Sequence, residues 1–544
     1  MSEVKAVTED RANGTAWNRW TQSHAGAIAL GIVALGFLLR AREAWGTFLN
    51  PDEALHFFIA NRSSLEAAYK ANLTMAHPPL LVFVLYGLRS FGSSEFILRL
   101  PSILAGVLFC WIFFKWLTRI LGATAGLSGL IFMTLLPPMI SITGQVRQYS
   151  LLLVFAISGV WFLERALDEN SPRLVMISAG FLWLAMLSHY SGFLFTAAVG
   201  VYAVLRLWRR QTSTRTLIAW VAGQVVALGL AICLYVTHVS NIKGTTMAEQ
   251  AFDGWLRKSY FHRGYDNPLT FLVTRSFSFF QYLFGQLTVG DVAALLFVAG
   301  IVILLRGRIW TSTVPRFLFA VLLILLFVLN YGAALLDLYP FGGTRHCVYL
   351  GVFAIAGITV CIIKVTGENA IRAIAISVLI VVLCFAFRTN QHPYISRTDQ
   401  NRSNMYRAIS FVREQIPESD PIFVDYESGI ELGHYLCQQR PVSYERSIPG
   451  LLVFHCAGHR VISTIPDVWA FTPSVFLEQW NDLVRGGYLK SGETVWVAQA
   501  GWMVNLDDEL RKLPELRSLK TDAFGNNLRF FKLTAGQAIP SAAS

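Results

Sequence analysis

The residues best suited to chemistry in this sequence stand just after its first long apolar stretch. The segment 50–56, NPDEALH, places the carboxylates of Asp52 and Glu53 side by side. A carboxylate within hydrogen-bond reach of a hydroxyl can take its proton as a general base. Asp52 is the best candidate for that role, with Glu53 beside it. A simpler interpretation stays open, because an aspartate after a proline can also cap a helix and place negative charge in its first turn.

A metal site is a weaker hypothesis for the same loop. Glu53 and His56 are three residues apart, so they share one side of a helix, and His77 lies near the end of the loop. Carboxylate and imidazole groups are ordinary metal ligands. The sequence predicts no specific cofactor. A divalent ion bound by these three residues stays open, but the chemistry does not require one.

Two arginines stand at the ends of apolar runs and fit phosphate binding. Arg147 and Arg345 each lie beside a predicted span end. A guanidinium binds phosphate in a bidentate way, and Arg345 also precedes a predicted helix, whose N–H groups favour an anion. The alternative is that both side chains reach to lipid headgroups. Cations of a later loop could help to stabilise a leaving phosphate: Lys243, Arg257, Lys258 and Arg263.

Further polar and aromatic residues lie in loops or at the ends of predicted spans. We assign them to substrate binding as a group: His56, His77, Gln145, Tyr149, His189, Tyr190 and His346.

The composition decides what kind of molecule must position these residues. Of 544 residues, 54% are hydrophobic and only 15% are charged, with a mean hydropathy of +0.48. A soluble domain carries about 25% charge, so a soluble enzyme is excluded. The net charge of +11 does not indicate nucleic-acid binding, because the arginines punctuate apolar runs and suit a role in membrane topology.

Apolar runs long enough to cross a bilayer, roughly 20 residues each, recur along the chain. Two shorter or amphipathic stretches, 79–92 and 269–287, fit the membrane interface. The predicted spans are 25–45, 96–118, 123–141, 149–165, 172–188, 190–207, 217–238, 290–306, 316–337, 347–365 and 371–388.

The basic loops predict the orientation. Arginines cluster at 206–215 and 306–316, and such loops face the cytoplasm. With a cytoplasmic tail at 1–24, both clusters fall inside only if the two ambiguous stretches do not cross. The count is then eleven, or another odd number up to about thirteen. The loops 46–95 and 239–289 and the residues 389–544 lie outside, which puts all the candidate residues at one membrane face, where ionisable groups are usually functional.

The residues 389–544 read as a soluble α/β domain. A helical pattern runs from Met405 to Ile416, and strand-like runs stand at 421–424, 494–497 and 528–531. Cys437 and Cys456 are its only two cysteines. Because the topology puts them in an oxidising compartment, we expect a disulfide between them.

Five ordered motifs resemble a known family. They are the run that begins at Asp52, HPP at 77–79, SSEFILRLPSILAG at 93–106, QVRQYSLLL at 145–153 and SHYSGFLF at 188–195. They are similar to the dolichyl-phosphate-mannose-protein mannosyltransferase-like branch of the GT-C glycosyltransferases, the superfamily of the lipid A aminoarabinose transferases. The resemblance implies a mainly α, polytopic transmembrane enzyme, with its glycosyltransferase domain at 25–388, that moves one sugar from a polyprenyl phosphate to an acceptor hydroxyl or phosphate outside the membrane, with inversion.

On that pattern Asp52 takes the place of the catalytic acid of the first external loop, and Arg345 that of a donor-phosphate ligand. Gln145 departs from the family, where many relatives carry a glutamate, so the base role falls on Asp52 or Glu53. The implied partners are the donor lipid, a lipid, glycan or protein acceptor and membrane lipids, without nucleic acid, and the implied location is a bacterial inner membrane. A transporter or flippase, or a polymerase or ligase with a pyrophosphate donor, remains the alternative.

Overall fold

The structure is a computed structural model. It describes residues 16–209, 212–242, 244–307, 314–367, 369–387, 400–437, 443–502, 504–512 and 519–535. The chain forms two compact units. The first is made of Met1–Ala41, Asn72–Leu81 and Leu100–Tyr394, and the second of Arg42–Ala71, Val82–Arg99 and Ile395–Ser544.

Apolar helices dominate the first 390 residues. Within the described ranges, eight helices are long and apolar enough to cross a membrane: Ala25–Gly46, Glu95–Leu121, Tyr149–Glu169, Ser191–Trp208, Thr214–Ile242, Leu287–Arg306, Arg316–Leu335 and Arg345–Thr366. Four apolar helices are shorter: Leu80–Phe91, Ala123–Leu135, Pro172–Ser188 and Ala370–Ala386. The protein is therefore a multi-pass membrane protein, as its composition predicts.

Each of the eleven predicted spans overlaps one of these helices, and the third ends earlier than expected. The helix Ala123–Leu135 stops before Leu136, which is extended (φ −60°, ψ 131°). A residue before proline avoids the helical region, and Pro137 begins a separate short helix, Pro137–Ile142. The prediction of one helix over 123–141 is wrong for this reason.

The stretch predicted as interfacial, 269–287, forms the helix Pro268–Phe284. Asn267 caps its start by accepting from the backbone N–H groups of Leu269 and Thr270. Gly285 ends it with a positive φ of 69°, a conformation that glycine adopts without strain. Further helical segments before residue 400 include Pro51–Ala60, Leu65–Asn72, Thr246–Gln250, the π-turn Ala251–Trp255 and the 3-10 turn Arg257–Ser259. The span Arg345–Thr366 begins with the 3-10 turn Arg345–Leu350.

The second unit contains a six-stranded mixed sheet. Its strands are β1 (Ile422–Val424), β2 (Leu451–Cys456), β3 (His459–Thr464), β4 (Thr494–Ala500), β5 (Thr521–Ala523) and β6 (Leu528–Thr534). The strand order is β2-β3-β1-β4-β6-β5. Strand β1 runs parallel to β3 and β4, and the other pairs are antiparallel.

Alternating side chains of this sheet fill two apolar cores. Phe423 and Val497 belong to one core with Trp480 of the helix Pro473–Arg485. Trp496 belongs to the other with Met405 of the helix Arg402–Gln415. The unit also holds the helices Tyr426–Leu436 and Leu506–Leu510. A period of two along each strand buries both faces, so the domain is an α/β unit with helices on both sides of its sheet.

A disulfide joins Cys437, just after the helix Tyr426–Leu436, to Cys456 at the end of β2. The two Cα atoms are 5.0 Å apart, a normal separation for a cystine.

Candidate active site

The loop that carries Asp52 is fixed by a capping box. Asn50 is the N-cap of the helix Pro51–Ala60: its side chain accepts from the backbone N–H of Glu53 (3.0 Å). The carboxylate of Glu53 in turn accepts from the backbone N–H of Asn50 (3.0 Å). These reciprocal bonds satisfy two free donors of the helix start. The cap is thus Asn50, and the alternative in which Asp52 caps the helix is wrong. Asp52 lies in the first turn and is half-buried.

Glu53 is held by an arginine of the second unit. Nε of Arg99 donates to Oε1 of Glu53 (2.8 Å), and Nη2 donates to Oε2 (2.6 Å). The two side chains are 1% and 0% exposed. A bidentate pair of this kind is strong and geometrically specific. Glu53 therefore has a buried cation and a helix cap as its partners, while the half-buried carboxylate in this turn is Asp52.

In the first unit, two predicted histidines and a tyrosine surround the ring of a third histidine, His189. The ring centroid of His189 lies 6.2 Å from that of His77, 5.9 Å from that of His346 and 5.2 Å from that of Tyr149. Gln148 donates from Nε2 to Nδ1 of His77 (2.8 Å). The residues come from four separate stretches of the chain, so the helices of this unit bring together what the sequence scatters.

The surroundings of His189 determine its protonation state. It is buried, and its Nδ1 accepts the backbone N–H of Ser191 (3.2 Å), so the ring proton belongs on Nε2. Burial, and then the positive charges of Arg147 and Arg345, lower the pKa of His189 to about 3. The imidazole is therefore neutral at physiological pH. Both predicted phosphate ligands lie close enough to act on this one ring.

The backbone around the two arginines is ordered by local contacts. Arg147 is 2% exposed, and its carbonyl accepts from the hydroxyl of Ser102 (3.2 Å). Arg345 is half-buried and begins the 3-10 turn Arg345–Leu350, in which the side chain of Thr344 accepts from the N–H of His346 (3.4 Å). Two guanidinium groups beside a buried neutral ring form an arrangement that favours an anion.

The other predicted substrate-binding residues have separate surroundings. Gln145 is buried and donates from Nε2 to the hydroxyl of Ser141 (3.1 Å). Tyr190 is half-buried and is the N-cap of the helix Ser191–Trp208. His56 is buried in the helix Pro51–Ala60, which also carries Asp52.

The predicted loop cations do not join the histidine cluster through any bond observed in the described ranges. Arg257, Lys258 and Arg263 are exposed, and Arg263 donates to the carbonyl of Leu335 at 3.5 Å. Lys243 lies outside the described residues.

Among the described residues, no group of three or more His, Cys, Asp or Glu side chains could hold a metal ion. The hypothesis of a metal on Glu53, His56 and His77 therefore gains no support from the geometry.

Sequence reasoning missed several residues that shape these clusters. Arg99 and Gln148 were not singled out, although both lie inside the segments that carry the family resemblance. Tyr339 was missed as well; its hydroxyl donates to the carbonyl of His346 (3.0 Å). An arginine within an apolar helix is a signal that could have found Arg99, because such a group needs a partner.

The comparisons with known proteins agree with this architecture. Residues 76–236 match the family model described as dolichyl-phosphate-mannose-protein mannosyltransferase. ArnT from Cupriavidus metallidurans in the apo state is similar over 95% of this chain and 100% of its own, with 13% identity and a TM-score of 0.52. The same protein bound to undecaprenyl phosphate is similar over 95% and 98%, with 13% identity and a TM-score of 0.48.

An Archaeoglobus fulgidus oligosaccharyltransferase tethered with an acceptor peptide is similar over 96% of this chain and 75% of its own, with 11% identity and a TM-score of 0.49. No curated protein matches the sequence. The class that the membrane helices and the family model define is a membrane glycosyltransferase. Residues 76–236, less than half of the chain, are similar to the dolichyl-phosphate-mannose-protein mannosyltransferase family.

Proposed function

We propose that the protein moves a single sugar from a polyprenyl-phosphate donor to an acceptor hydroxyl or phosphate on the extracytoplasmic side of the membrane, with inversion. The observation that supports this proposal is the ring cluster of His77, Tyr149 and His346 around the buried His189. The positive charges of Arg147 and Arg345 act on the same His189 ring and lower its pKa. The family model, whose description names a dolichyl-phosphate sugar donor, supports the same donor class.

The donor half of the reaction is assigned to Arg147 and Arg345. When the bond between the sugar and the phosphate breaks, the phosphate oxygen takes the electron pair and gains negative charge. Arg147 and Arg345 stabilise that charge by charge-assisted hydrogen bonds, and fixed donors of this kind act most strongly where water is excluded. The neutral ring of His189 can donate a hydrogen bond from Nε2 to the phosphate. The exposed cations Arg257, Lys258 and Arg263, with Lys243, attract the anionic donor.

The acceptor half is assigned to Asp52. Its carboxylate removes the proton of the acceptor hydroxyl as the oxygen attacks the anomeric carbon opposite the leaving phosphate. One carbon–oxygen bond forms as the other breaks, and the configuration inverts. A phosphate acceptor is already ionised and needs no base, so the dependence on Asp52 distinguishes the two acceptor classes.

The location of the site outside the cytoplasm follows from the odd number of predicted spans. With that count, the first loop and residues 389–544 lie on the extracytoplasmic side.

The test uses purified full-length protein, a synthetic polyprenyl-monophosphate sugar and a hydroxyl acceptor. We expect Asp52→Asn to abolish transfer while donor binding persists, because the amide keeps the shape and loses the base. Glu66→Gln is the matched control, since Glu66 is an exposed carboxylate of the same unit paired only with Lys70 in the described contacts. Normal turnover by Asp52→Asn would overturn the role of Asp52.

A further inference from the structure

The short segment between the first span and Asp52 is held by an unusual number of bonds to one side chain. Nη1 of Arg99 donates to the carbonyls of Ala44 (2.8 Å) and Thr47 (2.9 Å) and to the hydroxyl of Thr47 (2.9 Å). Nη2 donates to the carbonyl of Phe48 (2.8 Å). Together with the pair to Glu53, all three guanidinium nitrogens are used.

The C-terminal domain holds the same segment from its own helix. The hydroxyl of Tyr435, in the helix Tyr426–Leu436, accepts the backbone N–H of Leu49 (2.8 Å) and donates to Oε1 of Glu95 (3.2 Å). Tyr435 is 6% exposed. The backbone N–H of Phe48 also donates to the carbonyl of Gln400 (3.0 Å). Three consecutive residues before the helix of Asp52 are thus bonded to distant parts of the chain.

The start of that helix is also packed closely by the same domain. Gly501 has a φ of +108°, and a Cβ added to it would lie 2.6 Å from Cγ of Pro51 and would collide with the carboxylate of Glu427. Glu427 also accepts the backbone N–H of Trp502. The backbone at Gly501 therefore fits between Pro51 and Glu427, and only glycine leaves the room.

We propose that Arg99 and Tyr435 are positioning residues that fix the backbone of residues 47–53 and so aim the carboxylate of Asp52 at the acceptor. The inference rests on the proposed function of Asp52. A general base must stay within hydrogen-bond reach of its proton, and a misplacement of about 1 Å can cost about a hundredfold in rate. In this account the C-terminal domain takes part in turnover through Tyr435 and is more than a structural appendage.

The first arm of the test removes one hydroxyl. Tyr435→Phe keeps the ring and takes away the acceptor of the Leu49 N–H. We expect kcat to fall about tenfold or more with the KM for the donor unchanged. Tyr406→Phe is the matched control, because the ring of Tyr406 packs on that of Tyr435 (centroids 6.0 Å apart). The hydroxyl of Tyr406 accepts from Nη2 of Arg402 (3.3 Å). It should leave kcat unchanged.

The second arm separates positioning from folding. The double variant Glu53→Gln with Arg99→Met removes both buried charges, while the glutamine can still bond the N–H of Asn50 as a capping-box residue does. We expect its thermal unfolding midpoint to stay near that of the wild type, with a strongly reduced kcat and an unchanged donor KM. Arg99→Lys keeps the positive charge but replaces the planar guanidinium with a single nitrogen, and it should retain part of the activity.

The third arm needs no activity. Hydrogen–deuterium exchange of the Leu49 amide should become at least tenfold faster in Tyr435→Phe and stay slow in Tyr406→Phe. If Asp52→Asn is fully active while the Leu49 amide responds as expected, the proposed role of Asp52 fails. The structural role of Tyr435 in fixing residues 47–53 is then still supported. Unchanged exchange at Leu49 in Tyr435→Phe would overturn the proposal, as would a wild-type kcat for Tyr435→Phe or for the double variant.

Discussion

Two carboxylates that are neighbours in sequence have different surroundings. Glu53 accepts from Arg99 and from the N–H of Asn50, whereas Asp52 is half-buried in the first helical turn. The sequence located the pair and favoured Asp52 as the base, and that role stays a prediction. It did not show the partner of Glu53, because Arg99 lies 46 residues away inside an apolar helix and only the folded chain brings the two together.

Replacing Glu53 should therefore damage folding more than replacing Asp52. Glu53→Ala leaves the Arg99 guanidinium buried without its counter-charge, a change that costs about 3–5 kcal/mol. We expect a clearly lower midpoint of thermal unfolding in detergent for this variant and a near wild-type midpoint for Asp52→Asn. Equal midpoints for Glu53→Ala and the wild type would contradict the buried ion pair.

Arg345→Ala should weaken donor binding much more than acceptor binding. One lost charge-assisted contact costs on the order of 1.5–3 kcal/mol, or about tenfold or more in affinity. Titration with a polyprenyl-phosphate sugar measures the effect. Arg165→Ala serves as the control, because Arg165 pairs with Glu169 on a half-exposed helix surface. A donor affinity that Arg345→Ala leaves intact would remove Arg345 from the site.

At the scale of elements, periodic patterns were easier to predict than pairings. The helix at Arg402–Gln415 and the strands β1, β4 and β6 stand where the sequence placed them. The helix Tyr426–Leu436 and the hairpin of β2 and β3 were not predicted. All eleven residues of that helix are buried, so it lacks the amphipathic pattern by which a surface helix is recognised.

The cap of that buried helix should make the stability of the domain depend on pH. Asp425 accepts the backbone N–H of Ser428 (2.8 Å), and burial raises the pKa of its carboxyl to about 6. Burial also raises the pKa values of Glu427 and Glu431 on the same helix. Because the folded pKa values exceed those of the unfolded chain, the protonated forms favour folding, and stability is lost as pH rises through about 6.

We expect amide exchange in β1 and β4 of the full-length protein to become faster between pH 5 and pH 7.5, after correction for the intrinsic pH dependence of exchange. Asp425→Asn should reduce this pH dependence. Corrected protection that grows with pH would contradict the assignment.

At the scale of the whole molecule, the composition and apolar runs predicted a multi-pass protein with an appended α/β domain, and the fold agrees. The number of crossings was harder to predict, because three of the predicted spans coincide with helices of 13 to 17 residues. The clusters around His189 and Asp52 could not be assembled from sequence, since their members come from distant segments that only helix packing brings together.

The disulfide allows a test of which side of the membrane the C-terminal domain occupies. Closing a loop of about 20 residues stabilises the folded domain by about 3 kcal/mol in the chain-entropy model. We expect Cys437 and Cys456 to resist a membrane-impermeant thiol reagent applied to intact cells or spheroplasts until a mild reductant is added, and then to react from outside. Labelling only after the membrane is opened would place the domain in the cytoplasm and contradict the odd span count.

The most direct test of the account is the identity of the donor. Purified wild-type protein is offered a polyprenyl-monophosphate sugar and, separately, the corresponding pyrophosphate-linked sugar, and the lipid products are followed by mass spectrometry. We predict that the monophosphate donor is consumed and releases polyprenyl phosphate as the sugar appears on the acceptor, while the pyrophosphate donor is left intact. Consumption of the pyrophosphate donor alone, or movement of the intact lipid across a vesicle membrane without cleavage, would contradict the account.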